Sequence, residues 1–232
     1  MAQARWRYAL VAAFGTSMML LGGCSTSRST QVDDAWMARV PENELGDVRQ
    51  AQANKRQALD EVTRAEVAID DAQRALDVAR SNVEAAQHQR KAQEATLKAA
   101  EATGQRSAIG QARAQLRGAE MDRSAAEAQV DWRKENVDAW KAQKRYRERE
   151  VTVADAELSY ARYLALKRHD DVRAQDISDR DLKAAIADAK RDASEARRDA
   201  DAKMQEARQT RVAWEKMRSE AQGYGGSGRD LR

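Results

Sequence analysis

One proline, one cysteine, two histidines and few aromatics in 232 residues exclude a good deal. The only proline is Pro41, so no later residue is barred from a helix by the pyrrolidine ring. The only cysteine is Cys24, which leaves no disulfide framework. Aromatics are 5% of the chain, too few for the thick core of an ordinary globule. No glycine-rich phosphate loop and no nucleophile elbow occurs. No strand-like run flanked by turn residues occurs either. The two histidines are His88, at an outward heptad position, and His169, beside Asp170 and Asp171. One histidine with two adjacent aspartates has no convergent ligand geometry, so neither metal nor acid–base chemistry is expected there. The remaining carboxylates fall on polar faces, away from the apolar pockets that shift a pKa. Catalysis and cofactors are therefore not expected. The formal charge of +3 drops to 39 basic against 38 acidic once Arg5 and Arg7 are set aside. The signs alternate along the faces, which reads as solvation and helix pairing, with no nucleic-acid partner.

What is present is alanine, charge and a seven-residue period. Residues 111–168 carry a seam with Leu116, Val130, Val137, Val151 and Leu158 at a, and Ala112, Ala119, Ala126, Trp140, Ala154 and Ala161 at d. A second stripe lies opposite, at c and f: Trp132, Ala139, Ala142, Tyr146, Val153, Tyr160 and Tyr163. A helix with two opposed apolar stripes needs two neighbours. The preceding seam, from Val48, alternates Val62, Ile69, Leu76 and Val83 with alanine at d. Small d residues suit a close antiparallel pair, while a parallel homodimer of this helix is the alternative.

Between the seams, Gly104 suits the left-handed residue after a helix end and Ser107 suits an N-cap. The seams then mirror, with Leu76 near Val137, Val62 near Val151 and Arg90 near Arg123. A second break is expected in the aspartate-rich residues 168–181, where Ser178 and Asp181 have capping-box spacing. Beyond it a stripe runs through Leu182, Ile186, Ala189, Ala193, Ala200, Ala207, Trp214, Met217 and Ala221. Folded back, this helix covers the c/f stripe and brings Trp214 to Trp132. The heptad register also continues unbroken across 168–181, so one straight helix is the rival path.

The expected fold is all-α, an elongated antiparallel coiled-coil hairpin with a third helix packed back on the second. Its helices span about 42–102, 111–168 and 179–222, within a helical coiled-coil domain at 42–222. Residues 24–41 read as a lipidated N-terminus and flexible tether, with Trp36, Met37 and Val40 able to pack at the base. Residues 223–232 read as a loose tail.

Residues 1–23 have the parts of a secretory signal: Arg5 and Arg7, an apolar run over 9–21, then Leu21-Gly22-Gly23-Cys24. This resembles the lipobox of bacterial lipoproteins. The resemblance implies cleavage before Cys24 and a diacylglycerol joined through its sulfur, with further acylation (commonly palmitate) of the new amine. Several acyl chains give stable anchoring where one is marginal. Ser25, where aspartate retains Gram-negative lipoproteins in the inner membrane, implies an outer-membrane position facing the periplasm. The plan also resembles the murein lipoprotein, a lipidated cysteine followed by coiled coil, but the internal turn and Arg232 depart from it. That family's wall link uses a C-terminal lysine. The expectation is a structural spacer, tether or protein-docking surface of the cell envelope. The alternative, from the hairpin's resemblance to the arm of periplasmic adaptors, is an accessory of an envelope export machine. The membrane, through acyl chains, and an unidentified protein are the expected partners, and a homo-oligomer is compatible with the seams.

Overall fold

The computed structural model describes residues 32–223. Three long helices follow one another: α1, Gly46–Thr103; α2, Arg106–Arg168; and α3, Asp179–Gly223. Each reverses the direction of the last. α2 lies in the middle, with α1 and α3 each packed along it and making no comparable interface with each other. The two opposed stripes of α2 thus each have a neighbour. Leu76, Ala72 and Val137 bury together between α1 and α2, with Val130 and Trp140 against them. On the other stripe, Trp132 stacks on Trp214 with ring centroids 4.7 Å apart, while Ala139 and Ala142 are fully buried. The antiparallel reading and the break in 168–181 hold, and the straight-helix path does not.

The α1–α2 turn is tighter than the sequence suggests. Gly104 adopts φ 67° and its N–H donates to the Glu101 carbonyl at 3.2 Å. The Thr103 hydroxyl donates to the Ala100 carbonyl at 2.7 Å. α2 then starts at Arg106 instead of 111, and Gln105, not Ser107, precedes it without a side-chain cap. Gly110 lies inside the helix. A single glycine costs a helix about 1 kcal/mol relative to alanine, and continued packing outweighs that.

The base is more ordered than a tether. Val32, Met37 and Val40 are buried in one core with Val48, Leu158, Tyr163, Leu166 and Leu182. The expected flexible segment 24–41 is therefore folded from Val32 onward. Asp33 caps a 3₁₀ helix, Asp34–Arg39, by accepting from the Ala35 N–H at 3.0 Å. Arg162 of α2 holds this segment twice, donating to the Val32 carbonyl at 3.0 Å and to Asp34 at 2.6 Å. A short 3₁₀ turn, Glu42–Glu44, stands where helix is expected from 42, and the α-helix begins at Gly46.

Between α2 and α3 the chain makes a 3₁₀ helix, Val172–Asp176, capped by Asp171. The Ser178 hydroxyl accepts from the Asp181 N–H at 3.2 Å, as its spacing predicts. In α3, Ala193, Ala200, Ala207, Trp214 and Ala221 are buried at seven-residue intervals. Met217 differs from the expectation, at 43% exposed. Met217 lies three residues past Trp214, off the line of residues buried at seven-residue spacing. Gly223, expected to open the tail, is still helical and is the last described residue.

Candidate functional site

Three places along the rod bring chemistry together: the base, a polar waist and the aromatic layer. At the base, Arg173 folds onto Asp171. The Arg173 Nε donates to Oδ1 at 2.8 Å, and its own N–H donates to the same oxygen at 3.0 Å. These hydrogen bonds hold the Asp171 carboxyl well below the usual carboxylate range, against the opposite pull of desolvation. Asp171 is thereby committed to the turn, and His169, exposed at the end of α2, gains no ligand partner from it. Among the described residues no three His, Cys, Asp or Glu side chains gather to hold a metal ion.

A depressed carboxylate stabilises the fold above its unfolded pKa, near 4, and that stability is lost as pH falls toward the folded value. Asp171→Asn is therefore expected to lower stability at neutral pH. The gap from the parent should close as pH drops below about 4. Parallel acid titrations followed by circular dichroism measure this. A gap that stays constant with pH would show that the Asp171 charge contributes nothing.

The waist separates the base core from the Leu76–Val137 cluster. Here all three helices line an open groove of about 450 Å³ that includes Asn54, Glu61, Tyr146, Arg147, Lys190 and Arg197. The Tyr146 hydroxyl donates to Glu150 at 2.6 Å, and Arg147 donates to the other Glu150 oxygen at 2.6 Å. Glu61 of α1 lies 3.7 Å from Arg147, and Lys190 of α3 pairs with Glu157 at 2.8 Å. Desolvation first, and then Glu150, raise the Tyr146 phenol, which keeps it a neutral donor. Burial pulls the Arg147 guanidinium down, but Glu150 and Glu61 outweigh it and keep it charged. Nearby, Lys144 is raised by its bond to Glu66, 3.0 Å away. Each of these charges is met by an opposite one. The groove joins helices and offers no poised nucleophile or base.

The aromatic layer is the third place. The Arg133 guanidinium lies 3.9 Å from the Trp132 ring centroid, with Arg211 at 5.7 Å from the same ring. Burial and then Arg211 lower the Arg133 pKa. Cation–π contact compensates part of that burial. The layer fixes the register of α3 on α2.

The expected lipidation residue, Cys24, lies outside the described residues, as do the signal segment and residues 224–232. His88 is exposed on α1. Sequence reasoning found the Trp132–Trp214 pair but not the waist. Only Arg147 of its charged members falls on the a and d seam; Glu61, Glu150, Lys190 and Arg197 flank it, and only their partners across the helices reveal them as a layer. Among the described residues no helix is long and apolar enough to cross a membrane. No protein-family model matches the chain, and no characterised protein or solved structure matches it significantly.

Proposed function

We propose that this is a lipid-anchored protein of the bacterial envelope, held through acylated Cys24, whose helical rod projects from the membrane as a spacer and docking arm. The observation that carries this reading is polarity. Val32 is seated at the base, against Leu158, Leu166 and Leu182, while Gly104 turns the chain at the opposite end of α1. α1 has 58 residues, on the order of 90 Å of helix. Cys24 precedes Val32 by eight residues, a reach of at most ~28 Å. An anchor at Cys24 therefore keeps the base near the lipid and leaves the turn far from it. Paired charges along the body suit a spacer better than a catalyst. By the Ser25 pattern the membrane is the outer one and the rod stands in the periplasm.

Mass spectrometry of the membrane-extracted protein tests this. The expected mature chain begins at Cys24 carrying diacylglycerol and an amide-linked acyl group, and Cys24→Ser is expected to leave the protein unlipidated and released from the membrane fraction. A chain that still begins at Met1 with an unmodified thiol would sink the proposal.

A further inference from the structure

The aromatic layer holds a charge that no acidic side chain answers. Arg133 takes a d position on α2, in sevens with Ala126 and Trp140. Its guanidinium lies 3.9 Å from the Trp132 ring centroid, and that of Arg211, from α3, lies 5.7 Å from the same centroid. Two like charges from two helices thus converge on one indole, itself stacked on Trp214. Burial, and then the Arg211 charge, both disfavour the Arg133 cation.

Burial sets Arg133 apart from the other unpaired cations of the rod. Arg56, Arg149, Arg180 and Arg208 are exposed, so water satisfies them. Arg133 is only partly exposed, and its Nε is closed to solvent and has no hydrogen-bond partner. Arg162 also has a buried, unpartnered Nε, but its other nitrogens donate to the Val32 carbonyl and to Asp34. Arg133 has no carboxylate within ion-pair distance among the described residues. Two acids near it in the chain are engaged elsewhere, Glu127 by Arg123 at 2.9 Å and Asp131 by Lys134 at 3.4 Å. Arg211 donates to Glu215 through Nε at 2.7 Å, and no acceptor among the described residues meets its two terminal nitrogens. Contact with the ring face offsets part of the burial but supplies no hydrogen-bond acceptor.

We infer that Arg133 and Arg211, beside the Trp132–Trp214 stack, bind a phosphate-type oxyanion. Each guanidinium presents a planar fork of donors, and a phosphate group has oxygens enough to accept from two forks at once. A dianion also carries the charge that two converging cations call for. Position favours a soluble phosphate over a lipid headgroup. On the order of 50 Å of helix separates Trp132 from Arg168 at the base. A bilayer held at the base through Cys24 is therefore out of reach. That choice of source rests on the reading of the rod as anchored at its base, whereas the site itself does not.

The test uses the full chain carrying Cys24→Ser. Inorganic phosphate is titrated at constant ionic strength, against sodium chloride, by calorimetry and by tryptophan fluorescence, which reports on the indole stack. Saturable binding with a Kd of about 1 mM or tighter is expected. Arg133→Met, which keeps an aliphatic stem, and Arg211→Gln are each expected to weaken it by at least about tenfold. Arg211 is exposed, so its variant keeps the core even if Arg133→Met does not fold. Arg208→Gln, at an exposed cation one turn before Arg211, is expected to bind as the parent does. Phosphatidic acid vesicles offer the same chemistry on a lipid, and binding to them without saturation by free phosphate would overturn the soluble ligand. No saturation below about 10 mM, an unchanged affinity in Arg211→Gln, or an equal loss in Arg208→Gln would each overturn the site. A lower thermal midpoint in Arg133→Met, with no phosphate response in the parent, would mark Arg133 as a packing residue alone and also overturn it. Acylation of Cys24 enters none of these outcomes, so failure here is distinct from failure of the anchor.

Discussion

Truncation after Ser178 is expected to turn the protein into dimers or larger assemblies at micromolar concentration, read by sedimentation equilibrium on the Cys24→Ser chain. α3 covers the second stripe of α2 along most of its own length. Ala139 and Ala142 are wholly buried and Tyr163 is nearly so, and Trp132 meets Trp214 face to face. Without α3 those groups would form a continuous apolar band on one side of a two-helix rod. Bands of that kind drive association. The stacked indoles alone contribute on the order of 1 kcal/mol beyond their buried area. Tyr146 and Tyr160 would add to the exposed band. A truncated chain that stays monomeric would show that α3 is not what shields the stripe.

Leu166→Ala is expected to cost about 2–5 kcal/mol, the range for emptying a fully buried leucine site. Leu166 has no exposed surface, and its core joins the N-terminal segment, α1, α2 and the start of α3. The comparison is Leu97→Ala near the far turn, where the side chain is only partly buried and the expected cost is smaller than at Leu166. Urea denaturation gives the two midpoints. Hydrogen exchange locates the effect, since elements with few buried contacts open at lower free energy than the core. Base amides should lose protection in the Leu166 variant, while amides near the far turn exchange early in both. Equal costs at the two positions would contradict the division into a packed base and a thinner far end.

Much of this architecture was legible in the sequence because helices carry their neighbours in their periodicity. The two stripes of α2 called for two partners, and the mirrored seams placed Leu76 by Val137. Trp132 and Trp214 were paired by counting residues through the break. Turn details were less legible. The helix-start signal at Ser107 was overridden because Thr103 and Gly104 closed the reversal in fewer residues. The order of 32–40 was hidden by its polar surroundings. Val32, Met37 and Val40 show no period, and only their packing against Leu158, Leu166 and Leu182 explains their burial. The waist was hidden for a related reason. Arg147 at a seam position looks like a defect until Glu61 and Glu150, which flank the seam, are seen to satisfy it.

The reach of α3 along α2 also has a mechanical side. Flexural rigidity rises steeply with the thickness of a beam. Among the described residues, three helices run side by side up to about residue 117 of α2, and two beyond it. Thermal bending will therefore concentrate at that step, leaving the lower part straight and letting the last turns of α1 and α2 sweep a cone. A body stiff near its fixed end and compliant at its free end behaves like a whip antenna. It sets a standoff distance while its end samples an area, so a target need not lie directly overhead to be met.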